Sequence, residues 1–274
     1  MIGAGCNVPP ELRIDDWTCE ENVNASVQIK NNNYGNFYKV IAKTEAFVRK
    51  EMTMYRDILL DQDYIDSYRS LPAKVKTAYT WGINNLPQAL WFVKVDDDMY
   101  LRVGKLVSTF PKGRTFQSNF RHFMKPEEVD QNVPHSLDAT KDAIILSGSI
   151  YVNHTAHKTG KWKEIDEYKP SVYPTFPGGN SGHIVSRALA NYIAENSKSL
   201  VNYQGEDVSL GIWADQAPMN VTVLRDQRLK NTWRWNDVTC VARAHIVGHK
   251  LKAKDLRKCY WIDQEKLKIG KRQE

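Results

Sequence analysis

The chain has 274 residues with 42% hydrophobic and 11% aromatic content, enough for one large domain or two small ones and too apolar for a disordered chain. Thirty-eight Lys and Arg against 32 Asp and Glu give a formal charge of +6, and no apolar run approaches the ~20 residues of a membrane-spanning helix. The basic residues are scattered and densest over Lys250 to Lys258, which reads mostly as solvated surface, although such a balance also suits nucleic acid, an anionic membrane face or a phosphorylated small molecule.

The opening MIGAGCNVPP reads as the end of a strand passing into a turn, which suggests an N-terminally truncated chain. NNNYGN (31–36) is a loop, and FYKVIAK (37–43) is a short strand or the start of a helix. TEAFVRKEMTMYRDIL (44–59) places Phe47, Met54, Ile58 and Leu59 among charges and predicts a helix. Asp66 or Ser67 is placed to cap a further helix from about Pro72 to Trp81. LWFVKV (90–95) predicts a buried strand, and AIILSGSIYV (143–152) another. YPTFPGGNSGHIVS (173–186) reads as a Gly/Pro-rich loop running into the helix SRALANYIAENS, and EDVSLGIWA (206–214) begins one more. Glu206 and Asp207 suit that helix because negative charge is favoured at a helix N-terminus. Helices alternating with apolar strands predict an α/β sandwich with a largely parallel sheet.

Cys6, Cys19, Cys240 and Cys259 form two near pairs, one at each end, without a CxxC. That spacing suits two local disulfides better than zinc, and so an oxidising compartment. Sequons at Asn24, Asn153 and Asn220 point the same way, towards a secretory-pathway lumen.

Chemistry concentrates at two acidic sites. WFVKVDDDMY (91–100) runs an apolar strand into Asp96, Asp97 and Asp98, whose mutual repulsion calls for a cation, basic partners or water. In a strand, side chains two apart point the same way, so Asp96 and Asp98 share a face and Asp97 opposes them. Carboxylates at a strand's C-terminal end lie where α/β folds bind ligands, and such hard oxygens select Mg²⁺ or Mn²⁺ completed by substrate phosphates. The alternative is an exposed acidic turn. In the second site, GEDV (205–208), a carboxylate is either a general base for a sugar hydroxyl or simply part of a helix N-terminus. Between them Gly178, Gly179 and Gly182 permit tight turns or close approach to a ligand.

The ordered segments DSYRSLPAK, FVKVDDDMY, TGKWKEIDEY, VYPTFPGGNSGHIVS and YQGEDVSLGIW resemble the β1,3-galactosyltransferase family of inverting, nucleotide-sugar-dependent enzymes, over most of the chain from Met1 to about Trp213. TGKW, SLPAK, YQGEDVSLGIW and the opening IGAGCNVP most resemble its members that transfer N-acetylgalactosamine. The resemblance implies one GT-A-type domain over 1–274, with a Rossmann-like nucleotide-binding half (1–110), an acceptor-binding half (111–274), a mixed sheet and no first strand. It implies Mn²⁺ or Mg²⁺, a UDP-GalNAc or UDP-Gal donor, and a glycan acceptor ending in GlcNAc or Gal on a glycoprotein or glycolipid. Asp98 then falls on the direct metal ligand and Asp96 lies near the ribose with Asp97 beside it. Asp207 falls on the catalytic base, with Glu206 orienting the site or the acceptor. His249 falls where galactosyl members carry a metal-binding His, with His245 its rival, and Lys74 falls on a possible donor contact or a helix surface charge. Trp162 and Tyr173 offer flat faces to sugar rings or are buried in the core, and His183 stands where the family usually has Tyr. The implied setting is the Golgi or endoplasmic reticulum lumen, as a type II membrane protein in full-length form.

Two other readings accompany this one. A non-catalytic carbohydrate-binding remnant would bind acceptor without turning over a UDP-sugar. A two-metal phosphoryl-transfer enzyme with Asp96, Asp98 and Asp207 as ligands would bind nucleic acid with steep salt dependence.

Overall fold

The computed structural model describes residues 2–22, 34–109, 115–117, 136–226, 229, 246–247 and 250–270. In chain order these form β1 (Ile2–Ala4), α1 (Gly35–Tyr55), β2 (Leu60–Ile65), α2 (Leu71–Asn85), β3 (Trp91–Lys94), β4 (Tyr100–Leu101) and α3 (Val103–Thr109). Then come β5 (Thr115–Gln117), β6 (Ser136–Asp138), β7 (Ala143–Ser147), β8 (Ile150–Tyr151), β9 (Phe176–Pro177) and β10 (His183–Ser186). Helices α4 (Arg187–Glu195) and α5 (Glu206–Asp215), strands β11 (Val221–Arg225) and β12 (Ile246–Val247), and helix α6 (Ala253–Gly270) follow.

The main sheet has the order β11–β7–β10–β3, with β11–β7 parallel and the other two pairings antiparallel. β1 and β2 form a separate parallel pair. The class is mixed α/β, and the antiparallel turn of the main sheet comes from inserting β10 between β7 and β3. All of β7 and β10 is buried, so both faces of the sheet are covered. Ala143, Ile145 and Val185 enter one core with Leu189, Ile193, Leu210 and Trp213, beneath α2, α4 and α5. Ile144, Leu146 and Ile184 enter another with Met99, Leu106 and Leu224. An unbroken run such as AIIL is what a doubly covered strand requires, and each such side chain contributes roughly 1.5–3 kcal/mol on burial.

Several predicted elements change. The strand expected over 143–152 is two strands, because β8 leaves β7 to pair with β9. The break comes after Ser147, whose hydroxyl donates to the Gly182 carbonyl at 2.8 Å. The loop expected through 186 stops at Gly182, whose φ of 64° is the left-handed conformation glycine favours, and HIVS forms the interior strand β10. β3 is shorter than expected and only half-buried, with Val93 38% exposed, because β10 is its only partner among the described strands.

Helix α1 begins at Gly35, well before Thr44, and includes FYKVIAK. Its inward stripe is Phe37, Ile41, Glu45, Val48 and Met52, while Val40, Phe47 and Met54 face outward. Those exposed apolar residues blur the period that would mark its start. Helix α2 begins at Leu71 with Ser70 at its N-cap, so neither Asp66 nor Ser67 caps it. Ser70's hydroxyl instead bonds the Ile65 carbonyl at 2.9 Å and ties the helix to the end of β2.

Cys6 and Cys19 are disulfide-bonded, as their spacing suggests. Cys259 is also disulfide-bonded and fully buried, and Cys240, its expected mate, lies outside the described residues. Asn153 and Asn220 are exposed; Asn24 lies outside the described residues. Among the described residues no helix is long and apolar enough to cross a membrane.

Candidate active site

The site forms where the end of β3 meets the start of α5. β3 stops at Lys94, and Met99 donates its N–H to the Asp96 carbonyl at 3.1 Å, closing a turn through the acidic triplet. Strand alternation therefore does not place Asp96 and Asp98 on one face. Instead the Lys94 ammonium, at the last residue of the strand, bonds Asp96 Oδ1 and Glu206 Oε1, each at 2.5 Å. Lys94 is the residue that sequence reasoning missed. Its signal was a lone cation inside the apolar stretch WFVKV, which must find a counter-charge if the strand is even half-buried. Burial alone would lower its pKa, but Glu206 and Asp96 more than offset this and raise it.

Gly205 precedes α5 in extended conformation without a side-chain cap, and Glu206 and Asp207 occupy the first turn. Asp207 accepts from the N–H groups of Gly179 at 3.0 Å and Val208 at 2.8 Å. The glycine loop comes this close because it lacks side chains: a Cβ on Gly179 would sit 3.1 Å from Asp207 Oδ2, and one on Gly178 would sit 2.7 Å from Tyr151. Burial first, and then the neighbouring Glu206 carboxylate, push Asp207 up to about 7, against the lowering effect of those N–H groups and Lys94. A carboxyl tuned near neutrality is suited to accept a proton. Asp96 is raised from the usual carboxylate range mainly by burial, with Lys94 opposing the shift.

Beneath Lys94 lies His183, its antiparallel partner across β3 and β10. The imidazole is fully buried, and its Nε2 hydrogen-bonds the Tyr79 hydroxyl at 2.8 Å. Burial, and then Lys94's charge, press its pKa down to about 3, so it is neutral. His183 is therefore an interior neighbour of Lys94 in the sheet, with no face open to solvent.

The other expected residues divide. Asp97 is exposed and outside the Lys94 network, the acidic-turn alternative for that one residue. Lys74 pairs with Asp66 at 3.1 Å near the start of α2. Tyr173 offers no open face: it is 1% exposed in the core, and its hydroxyl donates to Glu164 at 3.0 Å. Trp162, 52% exposed, donates its indole N–H to the Tyr68 hydroxyl at 3.2 Å. Burial, and then the charges of Asp207 and Glu206, raise that hydroxyl to about 12. Of the three glycines Gly179 lies against Asp207, Gly178 packs against Tyr151, and Gly182 ends the turn between them and β10.

For a divalent cation the test falls on Asp98. Its Oδ1 is buried and has no hydrogen-bond partner, a hard oxygen with unmet demand. Asp96, by contrast, is engaged by Lys94. His249 and His245 lie outside the described residues. The described chain on either side of His249 meets the acidic turn: β12 pairs with β4, and Leu251 donates its N–H to the Asp98 carbonyl at 2.9 Å. Asp98 thus fits a cation. Among the described residues, no three or more His, Cys, Asp or Glu side chains gather at one point.

An α/β fold with a tuned carboxylate at a helix start and an acidic turn at the end of a neighbouring strand sets a proton acceptor close to where such folds bind ligands. A family model described as Galactosyltransferase matches residues 35–225, and the chain belongs to that family. Over 169 residues it is 31% identical to UDP-GalNAc:beta-1,3-N-acetylgalactosaminyltransferase 2 of Homo sapiens, covering 62% of this chain and 28% of the relative. It is 22% identical over 222 residues to the hydroxyproline O-galactosyltransferase GALT2 of Arabidopsis thaliana, covering 80% of this chain and 28% of the relative. It is also 25% identical over 206 residues to UDP-GalNAc:beta-1,3-N-acetylgalactosaminyltransferase 1 of Mus musculus, covering 75% of this chain and 55% of the relative. The chain thus spans less than a third of the human relative's length.

Proposed function

We propose that the chain is the catalytic part of an inverting β1,3-glycosyltransferase that moves GalNAc or Gal from a UDP-sugar to a glycan acceptor. The observation that carries this reading is Asp207: a carboxylate raised to about 7, held by two backbone N–H groups beside a glycine loop. Asp207 takes the proton of the acceptor hydroxyl as that oxygen forms its bond to the donor's anomeric carbon. The bond from that carbon to the UDP oxygen breaks on the opposite face, so an α-linked donor gives a β-linked product. Glu206 and Lys94 fix the first turn of α5, and Lys94's charge keeps Asp96 and Glu206 together. Trp162 lines the acceptor side. Lys74, tied to Asp66, stands as a donor-side contact.

Asp98, with His249, would hold Mn²⁺ or Mg²⁺. When bound, the ion supplies Lewis-acid neutralisation of the departing diphosphate. In this reading the two halves, 1–110 and 111–274, serve nucleotide and acceptor respectively, and the work takes place in the Golgi or endoplasmic reticulum lumen with the full-length protein membrane-anchored. The phosphoryl-transfer alternative loses support because Lys94 already neutralises Asp96, one of its three ligands.

The test is a pair of variants. Asp207→Asn is expected to reduce transfer by ~10²–10⁴-fold, the range for a positioned general base, while UDP affinity in Mn²⁺ stays at the wild-type value. Asp98→Ala is expected to weaken both. Undiminished transfer and equal UDP affinity in the two variants would contradict the assignment.

A further inference from the structure

The disulfide-closed segment Cys6–Cys19 lies before residue 35, where the family match begins, and yet one of its side chains packs against Tyr68 of the matched part. Trp17 and Tyr68 meet edge-to-face with centroids 6.0 Å apart, and the Trp17 carbonyl accepts from Arg69 N–H at 3.1 Å. The Lys161 ammonium lies over both rings, 4.1 Å from the centroid of Tyr68 and 4.7 Å from that of Trp17. Arg69 also donates to the Lys163 carbonyl at 2.6 Å, so the loop bearing Trp162 is fastened to the same corner.

From there aromatic rings run without a break towards the base. Trp162 lies 5.7 Å from His157, His157 lies 5.6 Å from His154, and His154 lies 5.4 Å from Tyr151. Tyr151 in turn packs against the position of Gly178, next to the Gly179 N–H that holds Asp207. The run thus reaches the glycine loop that holds the base. It alternates flat apolar faces with hydroxyl, indole and imidazole polar atoms, the surface chemistry that a pyranose presents in complement: one C–H face and a rim of hydroxyls. Trp17 is only half-buried and Trp162 mostly exposed, so ring faces remain open there.

We infer that Trp17, Tyr68, Lys161 and Trp162 form an extended acceptor subsite that takes the second sugar ring of an oligosaccharide, with Trp17 supplied by the disulfide loop outside the family-matched residues. The inference rests on the acceptor-side reading of Asp207 given above. It predicts that the chain prefers a disaccharide to the corresponding monosaccharide and that Trp17 carries much of the preference.

The experiment compares methyl β-N-acetylglucosaminide with chitobiose, and methyl β-galactoside with lactose, using whichever pair the wild type accepts. Trp17→Ala is expected to raise KM for the disaccharide about fivefold or more, in line with loss of one aromatic stacking partner, with the KM for the UDP-sugar unmoved. Trp17→Leu keeps apolar volume and removes the ring face, so it must show the same loss even if the alanine variant folds poorly. Binding of the disaccharide followed by isothermal titration calorimetry, in the absence of any donor, gives a readout independent of turnover and should weaken in parallel. Turnover with an unchanged disaccharide preference and unchanged binding in Trp17→Leu would overturn the subsite. Disaccharide binding that depends on Trp17 in a chain without turnover would keep the subsite and overturn the transferase reading instead.

Discussion

Asp207 and Lys94 make opposite demands on the same few cubic ångströms, and each yields a measurable consequence. A base must be ionised to act, so with Asp207 raised to about 7 the transfer rate should climb as pH rises through about neutrality, not through the ~3.9 of an ordinary Asp. The linkage to stability runs the other way. Between its unfolded pKa and its raised folded pKa the folded chain binds more protons at Asp207 than the unfolded chain does, so stability falls as pH rises across that window. Asp207→Asn removes this cost, and its Tm advantage over wild type should grow from about pH 4 to about pH 8. A pH–rate profile with its acidic limb near 4 would show that Asp207 is not tuned as described. Lys94→Met leaves the buried Glu206 and the partly buried Asp96 without their cation. The expected loss is ~3–5 kcal/mol in chemical denaturation, the usual cost of stranding one partner of a buried pair. In the folded fraction the acidic limb should move to higher pH, because Lys94 is one of the influences holding Asp207 down.

At the scale of elements, packing rather than propensity decides what the sequence reveals. The strand over β7 is legible because both its faces are buried, and α5 because its acidic first turn and apolar body stand together. β10 is not legible: it has four residues, His183 looks polar, and the stretch before it is rich in glycine and proline, so only its two neighbouring strands make it a strand. The same holds for the site. Asp98 and Asp207 could be singled out as carboxylates in telling positions, and the glycine loop as a close-approach element. Lys94 stood out only as a lone cation in an apolar stretch, because its partner Glu206 is 112 residues away in sequence and only the fold brings them together. Tyr173 and Trp162 were indistinguishable as flat aromatics until one proved to be in the core and the other at the surface. Position α5 also makes a packing prediction. A Cβ at Gly211 would come 2.4 Å from Phe176 Cβ and 2.8 Å from the Thr175 carbonyl. Gly211→Ala should therefore cost about 1–3 kcal/mol through overpacking where α5 rests on β9, read as a lower midpoint in urea. An unchanged midpoint would mean that α5 is free to shift away from β9.

At the scale of the whole molecule, two acidic sites from distant parts of the chain converge because Lys94, at the end of β3, meets Glu206 in the first turn of α5. Matching of residues 35–225 to the galactosyltransferase family places both sites within the shared domain, whereas Trp17 and the Cys6–Cys19 loop lie before it. The central claim is that these parts together transfer a sugar. It is tested most directly by UDP release from UDP-GalNAc and from UDP-Gal, with and without β-GlcNAc or β-Gal acceptors, in Mn²⁺ and in EDTA. The account predicts acceptor-stimulated release in Mn²⁺ from at least one donor, its loss in EDTA and its loss in Asp207→Asn. Release that ignores the acceptor, survives EDTA or persists in Asp207→Asn would contradict it.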